Sequence, residues 1–289
     1  MVTERRNNMA TEFSQLAMNK ERSDTNVLVV DGLNLAFRWK YSKAKQFSSA
    51  YIDTINSLAK SYACGRIIVL SDFGHSEYRK NIHPEYKGNR IALKEKQTEQ
   101  EAKEFAEFFI EFENTLNIME LEGFEVYKYK NVEADDIAAF IVSKKELLGF
   151  ENITLVSSDK DWDLLIANNI SRFCYITRKT VTVDNWHHPV DRDKYLTFKC
   201  LTGDTGDNIP GIPNIGPKRA ASLIEQYGNV MEIYDSLPIQ GKYKYIESLN
   251  SLKERLLLNV ELMDLVTFCE DAIGEENCKD ILERLQGAI

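Results

Sequence analysis

An α/β fold, with a mostly parallel central sheet carrying helices on both faces and a helical portion behind it, is what this sequence predicts. Three observations lead there. Apolar runs that end in an acid recur at Val27-Leu28-Val29-Val30-Asp31, Ile67-Ile68-Val69-Leu70-Ser71-Asp72 and Ile153-Thr154-Leu155-Val156-Ser157-Ser158-Asp159. Continuous apolar runs of this length mark strands buried on both faces. Stretches of helical period separate them, and from Pro189 onward the pattern is almost entirely helical.

Taken in order, residues 1–25 are polar and mixed in charge, which predicts a flexible tail; Phe13, Leu16 and Ala17 are the material for a short helix within it. Residues 26–289 are expected to form one continuous domain, with an α/β core over 26–188 and a helical portion over 189–289. After the first strand, a helix is expected from about Ser49 to Ala63, where Tyr51, Ile55, Leu58, Ala59 and Tyr62 share a face. Phe124 to Tyr129 reads as a strand, and Asp135 to Leu148 as a helix that begins on acids and stops at Gly149. Residues 74 to about 98 are the most basic part of the chain, with His75, Arg79, Lys80, His83, Lys87, Arg90, Lys94 and Lys96 broken by Pro84 and Gly88. The next stretch turns acidic. Its Phe105, Phe108, Phe109, Phe112 and Leu116 recur at helical spacing, as a packing stripe rather than a row for stacking bases. Beyond Pro189 the clearest helices are Tyr195 to Leu201, Ala220 to Tyr227, Val230 to Leu237 and Leu252 to Leu262.

With 289 residues, 43% of them hydrophobic, the chain can bury a full core. No apolar run approaches the length of a membrane span, and the N-terminus lacks the apolar stretch of a signal peptide, so a soluble cytoplasmic protein with no membrane partner is expected. The five cysteines, Cys64, Cys174, Cys200, Cys269 and Cys278, are scattered without Cys-x-x-Cys spacing, which predicts neither disulfides nor a zinc site. His187 and His188 sit in a polar turn with no partner at ligand spacing, and read as surface loop. A net charge of −9 argues against a nucleic-acid partner only until the acids are located.

Nine acids stand out by position. Asp31, Asp72 and Asp159 close the three apolar runs, and in open α/β sheets the ligand site lies beyond the carboxyl ends of the strands. Any one of them alone reads as a helix N-cap, but three at corresponding positions argue for convergence. Glu133, Asp135 and Asp136 open a helix, where the dipole favours one acid but three repel. Asp161 follows Asp159. Asp204 and Asp207 lie in Gly203-Asp204-Thr205-Gly206-Asp207-Asn208-Ile209-Pro210-Gly211, just ahead of a turn that ends in Gly216, Lys218 and Arg219. Setting these nine aside leaves the rest of the chain neutral. The count exceeds what one Mg²⁺ takes, but suits two ions roughly 3.5–4 Å apart that favour the attacking and leaving oxygens of an in-line displacement. Asp163 is left out, as charge at a helix start. Without metal the nine should repel, so Asp204→Asn or Asp161→Asn is expected to raise the melting temperature while abolishing activity. A glycine turn that opens a helix adds a phosphate site, and metal beside phosphate points to phosphodiester chemistry.

Four segments in this order, Asp31-Gly32-x-Asn34, Glu133-Ala134-Asp135-Asp136, Ser158-Asp159-x-Asp161-x-Asp163 and Gly203-Asp204-x-x-Asp207-Asn208-Ile209-x-Gly211, resemble the 5′-nuclease family of flap endonucleases. That family includes the nuclease domain of bacterial DNA polymerase I and the free-standing bacteriophage enzymes, which this chain resembles most in lacking a polymerase portion. The likeness spans about residues 26–265 and implies a PIN-like, Rossmann-like core. It also implies a helical arch at about 74–120 that a 5′ single strand threads, and a helix–three-turn–helix element at 209–220. By the same likeness, the nine acids are ligands of two Mg²⁺ ions, with Mn²⁺ able to substitute and K⁺ a candidate at the hairpin. Lys87 and Arg90 would contact the scissile phosphate, which suits their chemistry. Tyr86 would stack on a terminal base, and Gly216, Lys218 and Arg219 would grip duplex DNA. Arg38, Lys242 and Lys244 are weaker candidates for phosphate contacts.

The expected activity is metal-dependent hydrolysis of DNA near 5′-flap junctions, with both endonucleolytic and 5′-3′ exonucleolytic action, leaving 5′-phosphates and serving replication and Okazaki-fragment processing. The expected partner is branched DNA with a 5′ flap or 5′ end, and the expected state a monomer, in the host cytoplasm if the source is a bacteriophage. Two alternatives are weighed: a PIN-type ribonuclease, which would be expected to lack the glycine–proline hairpin, and a non-catalytic DNA-binding protein, which would have lost acids that are intact here. A haloacid-type phosphatase would want Asp-x-Asp at the first strand end, where Gly32 and Leu33 follow Asp31.

Overall fold

A computed structural model of the chain describes residues 21–90 and 96–287; most of the expected flexible tail, and Lys94 of the basic segment, lie outside them. Strand β1 (Ser23–Asp31) runs through the middle of a six-stranded sheet whose other members are β2 (Cys64–Leu70), β3 (Glu125–Tyr127), β4 (Asn152–Val156), β5 (Ile170–Cys174) and β6 (Lys179–Val181). The order is β3-β2-β1-β4-β5-β6. All pairings are parallel except the last, where β6 turns back antiparallel on β5.

The apolar run in β1 splits between two cores, as the two-residue period of a strand requires. Leu28 and Val30 face a layer with α1 (Gly32–Tyr41), α2 (Ser48–Ser61) and, past the short α3 (Glu77–Ile82), the long α4 (Glu99–Leu121). Phe108, Phe112 and Leu116 of α4 are buried there, so the aromatic stripe is packing, as expected. A capping box at Thr98 and Glu101 starts that helix. Val27 and Val29 face the opposite layer, built on α5 (Ala134–Ser143).

A third apolar cluster holds the helical portion: α6 (Tyr195–Thr202), α7 (Pro217–Tyr227), α8 (Val230–Asp235), α9 (Lys244–Ser251) and α10 (Lys253–Met263). Between α6 and α7 lies a two-stranded ribbon, β7 (Gly203–Asp204) with β8 (Ile209–Pro210). Two more helices, α11 (Leu265–Ile273) and α12 (Glu275–Gly287), then return to the sheet. Their Leu265, Cys269, Ile273, Ile281 and Leu285 are buried in the α5 layer.

Four expectations change. Ser23, Asp24 and Thr25 belong to β1 rather than to a tail, because Ser23 pairs with Cys64, across a register shift before Val27. The helix begun at Ala134 loses regular α form after Ser143, where Lys145 N–H reaches back to Val142, though the chain does turn out at Gly149 with φ +67°. Strands β5 and β6 had not been anticipated. Finally, the helical portion over 189–289 also supplies part of the α/β core, since α11 and α12 pack into the α5 layer.

Candidate active site

Strand order reverses direction between β1 and β4, and a crevice opens beyond the carboxyl ends of strands at such a switch point. Asp31 ends β1 there. It caps α1 by accepting from Asn34 N–H at 3.2 Å, and its other oxygen accepts from the Ser157 hydroxyl at 2.8 Å. Burial first, then the nearby Asp72, pushes its pKa up to about 8. Asp72 follows β2 and accepts from the Ala134 N–H at 2.7 Å, so the carboxylate caps α5. Its pKa too is raised by burial. Asp135, on the first turn of α5, is held well above the ordinary carboxylate range by burial and by Asp159, Asp31 and Asp72. Asp159 lies in an exposed turn, where its Oδ1 accepts from Asp161 N–H at 2.9 Å. Burial aside, Asp72 and Asp159 thus make Asp31 harder to ionise, and all three do so for Asp135, so the four acids converge. No hydrogen bond or ion pair from a lysine or arginine reaches any of them among the described residues.

The other acids are matched with cations. Asp161 and Asp204 share Lys199, an α6 residue whose ammonium contacts Asp161 and lies 3.1 Å from Asp204. Burial still lifts Asp161 to about 6. Burial would raise Asp204, but Lys199 together with the Asp207 and Gly206 N–H groups holds it below its ordinary value. Glu133 and Asp207 share Lys87, at 2.7 and 3.6 Å, and Arg90 lies 2.9 Å from Asp207. Burial alone would raise Glu133, but Lys87 and Arg79 hold it below its ordinary value.

Two loops bring Lys87 to this place. Lys87 has φ +53°, and its N–H donates to the Asp207 carbonyl at 2.8 Å. Asn89 donates to the Thr205 carbonyl at 2.9 Å, and Asn208 returns a bond to the Glu85 carbonyl at 2.7 Å. The basic segment is thus laced along the loop that bears Asp204 and Asp207. Gly203, at φ +75°, permits the ribbon behind it: a Cβ there would sit 2.2 Å from Gly211 N.

Four site expectations are corrected. Asp136 does not face the crevice; it is fully buried, and both its oxygens accept from Arg79 at 2.8 and 2.7 Å. Tyr86 presents no ring for stacking, because it is 3% exposed in the helical core and its hydroxyl donates to Glu133 and Asp207. Asp163 is more than helix-start charge: fully buried, it accepts from Arg172 at 2.6 and 2.9 Å and pairs with His188 at 2.8 Å. That contact also gives His188 the partner it lacked in sequence, while His187 is exposed in the loop as expected. Among the described residues, Asp163, His187 and His188 are the one trio with ligating atoms all within 4.8 Å of one another, but the Arg172 fork already occupies Asp163 with a cation.

Lys199 is the residue that sequence reasoning missed. Its signal was a lone lysine inside the apolar helix Tyr195 to Leu201, where a buried charge demands a partner. The candidate duplex-binding residues lie together on another face. Gly216 is the exposed N-cap of α7, with Pro217 at N1 and Lys218 and Arg219 exposed in the first turn. The Arg219 guanidinium lies 5.0 Å from the Tyr245 ring centre, and Tyr245 stacks with Tyr243 between exposed Lys242 and Lys244. Arg38 is exposed on α1.

The donor set fits divalent cations. Carboxylate oxygens are hard ligands, and four converging acids without a cation are costly unless one is bound. Buried anionic oxygens for metal ions, set beside lysines and an arginine suited to phosphate, define a metal-dependent nuclease. Two family models match the chain: the 5′-3′ exonuclease N-terminal resolvase-like domain over residues 26–190, and the 5′-3′ exonuclease C-terminal SAM fold over 190–281. The chain belongs to the 5′-3′ exonuclease family. The flap endonuclease of Escherichia phage T5 is 41% identical over 274 residues, which span 90% of this chain and 93% of that protein. A 5′-3′ exonuclease of Buchnera aphidicola is 28% identical over 255 residues, 82% of this chain and 84% of its own. The crystal structure of the T5 flap endonuclease in a pseudo-enzyme–product complex with DNA and metal ions has a TM-score of 0.85 at 40% identity, covering 90% of this chain and 99% of that one. The T5 5′-exonuclease with bound zinc gives 0.86 at 40% identity, over 90% and 98%. No helix among the described residues is long and apolar enough to cross a membrane.

Proposed function

We propose that this chain cuts DNA phosphodiesters near the junction of a 5′ single-stranded flap and duplex, releases 5′-phosphate ends, and serves to remove 5′ strands during replication. The observation that carries this reading is the division of the crevice into four carboxylates with no ion pair among the described residues and a flank of Lys87, Arg90 and Lys199. Asp31, Asp72, Asp135 and Asp159, with Asp161, Asp204, Glu133 and Asp207 behind them, would hold two Mg²⁺ ions, or Mn²⁺ in their place. When bound, such ions stabilise charge on the attacking and leaving oxygens. Lys87 and Arg90 bind the scissile phosphate and neutralise the charge that develops on it. Duplex phosphates are gripped by the α7 N-terminus at Gly216 with Lys218 and Arg219, where K⁺ is a further candidate ligand, and by Lys242 and Lys244. Arg38 adds a contact from the exposed last turn of α1. The protein acts as a monomer in the cytoplasm.

End-labelled 5′-flap DNA and single-stranded RNA, each in Mg²⁺ and in excess chelator, test this with wild type and Lys87→Ala. Metal-dependent cutting at the flap junction, reduced roughly 100-fold or more in the variant, is expected. Flap binding without cleavage under any metal would make it a binding protein, and cutting of RNA alone would make it a ribonuclease. Flap affinity should also fall steeply between low and physiological salt, because phosphate contacts dominate.

A further inference from the structure

Trp162 stands between Asp161 and Asp163 in sequence. It is fully buried, and its indole N–H donates to Asp135 Oδ1 at 2.6 Å. The 3-10 turn Asp161–Leu165 explains how. With three residues per turn, successive side chains point about 120° apart. Asp161 reaches Lys199, Trp162 passes beneath α5 to Asp135, and Asp163 points away to Arg172 and His188. Arg172 also donates to the Ser157 carbonyl at 2.9 Å, at the end of β4. Any rotation of this turn that took the indole off Asp135 would break the buried Asp163–Arg172 fork.

We propose that Trp162 is a positioning residue that sets Asp135 as a one-oxygen metal ligand, with the indole occupying Oδ1 and leaving Oδ2 to the cation. The inference rests on the reading of Asp135 as a ligand. A carboxylate free to rotate offers a cation either oxygen or both; one pinned by a fixed donor offers a single direction, and its orientation is settled before the metal arrives. Partners of ligating groups act in this way, and their loss costs about 10–100-fold in metal affinity. Trp162 also ties the segment of Asp159 and Asp161 to that of Glu133 and Asp135, so two ligand groups move as one. The plainer alternative is that Asp135 merely satisfies a buried indole N–H. In that case removing the N–H would alter stability and leave metal affinity alone.

Mn²⁺ binding to DNA-free protein, followed by the electron paramagnetic resonance of free Mn²⁺, separates the two. Trp162→Phe keeps an aromatic ring in the core and removes the donor, together with some of the buried volume. At least one ion should bind about 10-fold more weakly, with far-UV circular dichroism unchanged in chelator. Unchanged affinity in the variant would overturn the proposal and leave the nuclease reading standing. Absence of divalent binding by wild type would sink the nuclease reading instead. Should Trp162→Phe fail to fold, wild type decides: of the indole N–H resonances, one displaced downfield by its carboxylate should shift on adding Mg²⁺. An indole set that does not respond to Mg²⁺ while the ion binds would overturn the proposal.

Discussion

Lys199 changes what the acid cluster costs. With its ammonium set between Asp161 and Asp204, neutralising either acid leaves a buried cation with one partner in place of two, so the stabilisation expected of Asp204→Asn or Asp161→Asn should not appear. Part of the strain resides at Asp31, where burial and the nearby Asp72 push the pKa up to about 8, from the ordinary carboxylate value of 3.8. A raised acid is protonated when folded and ionised when unfolded over that interval, so metal-free stability falls as pH climbs from 4 to 8. By linkage this amounts to something on the order of 5 kcal/mol at pH 7.5. Asp31→Asn keeps the cap, since asparagine caps as well as aspartate. Thermal melts in chelator at pH 5, 6.5 and 8 should show wild type losing stability and Asp31→Asn losing clearly less; parallel curves would refute the assignment. Asp136 makes the opposite case. Asp136→Asn leaves Arg79 buried and half paired, so a loss of roughly 3–5 kcal/mol in denaturant midpoints is expected. Mn²⁺ affinity should remain close to wild type, because both oxygens of Asp136 are already taken.

At the scale of elements, the ribbon between α6 and α7 sets the spacing of Asp204 and Asp207. Gly211 faces the last residue of α6, and a Cβ there would lie 2.3 Å from the Thr202 carbonyl carbon. Gly211→Ala must therefore push β8 away from β7, and the loop carrying Lys87 with it. A stability loss of about 1–3 kcal/mol and a fall in cleavage larger than in flap binding are expected; an equal fall in both would place the defect in the duplex grip instead. The same region shows what a sequence can disclose. Strand-end acids, the apolar run of β1 and the stripe of α4 were legible because period and position are local properties. Asp136, three residues from Glu133, looked equivalent to its neighbours, yet the helical turn rotates it into the core, where Arg79 meets it from 57 residues away. Tyr86 was misjudged for a similar reason: an aromatic beside basic residues suits stacking in sequence, but its hydroxyl reaches Glu133 and Asp207 only once the chain folds. Strand β5 escaped because Arg172 interrupts its apolar run, and the partner that permits this burial is Asp163.

On the scale of the whole molecule, the last two helices decide whether the nuclease core can exist alone. Leu265, Cys269 and Ile273 of α11 lie against the α5 layer, and Cys278, Ile281 and Leu285 of α12 extend it. Arg284 donates to the Val126 carbonyl at 2.7 Å and lies 4.1 Å from the Tyr127 ring centre, while Arg66 donates to the Leu285 carbonyl at 2.7 Å. The chain's end is therefore bonded to β2 and β3, on the far side of the sheet from α4. A chain stopped at Ile273 would uncover the surface that Cys278, Ile281 and Leu285 fill and leave Arg66 without its carbonyl. Burial of two such large apolar side chains contributes about 1.5–3 kcal/mol each, which with the smaller cysteine approaches the 5–15 kcal/mol that holds a typical protein folded. Because α5 carries Asp135 and caps on Asp72, loosening its outer face should reach the crevice. Truncation after Ile273 is expected to lower the melting temperature by 10 °C or more, about what a loss of several kcal/mol produces, and to weaken Mn²⁺ binding before the fold is lost. A truncated chain with wild-type melting and metal affinity would show instead that α5 is held from the sheet side alone.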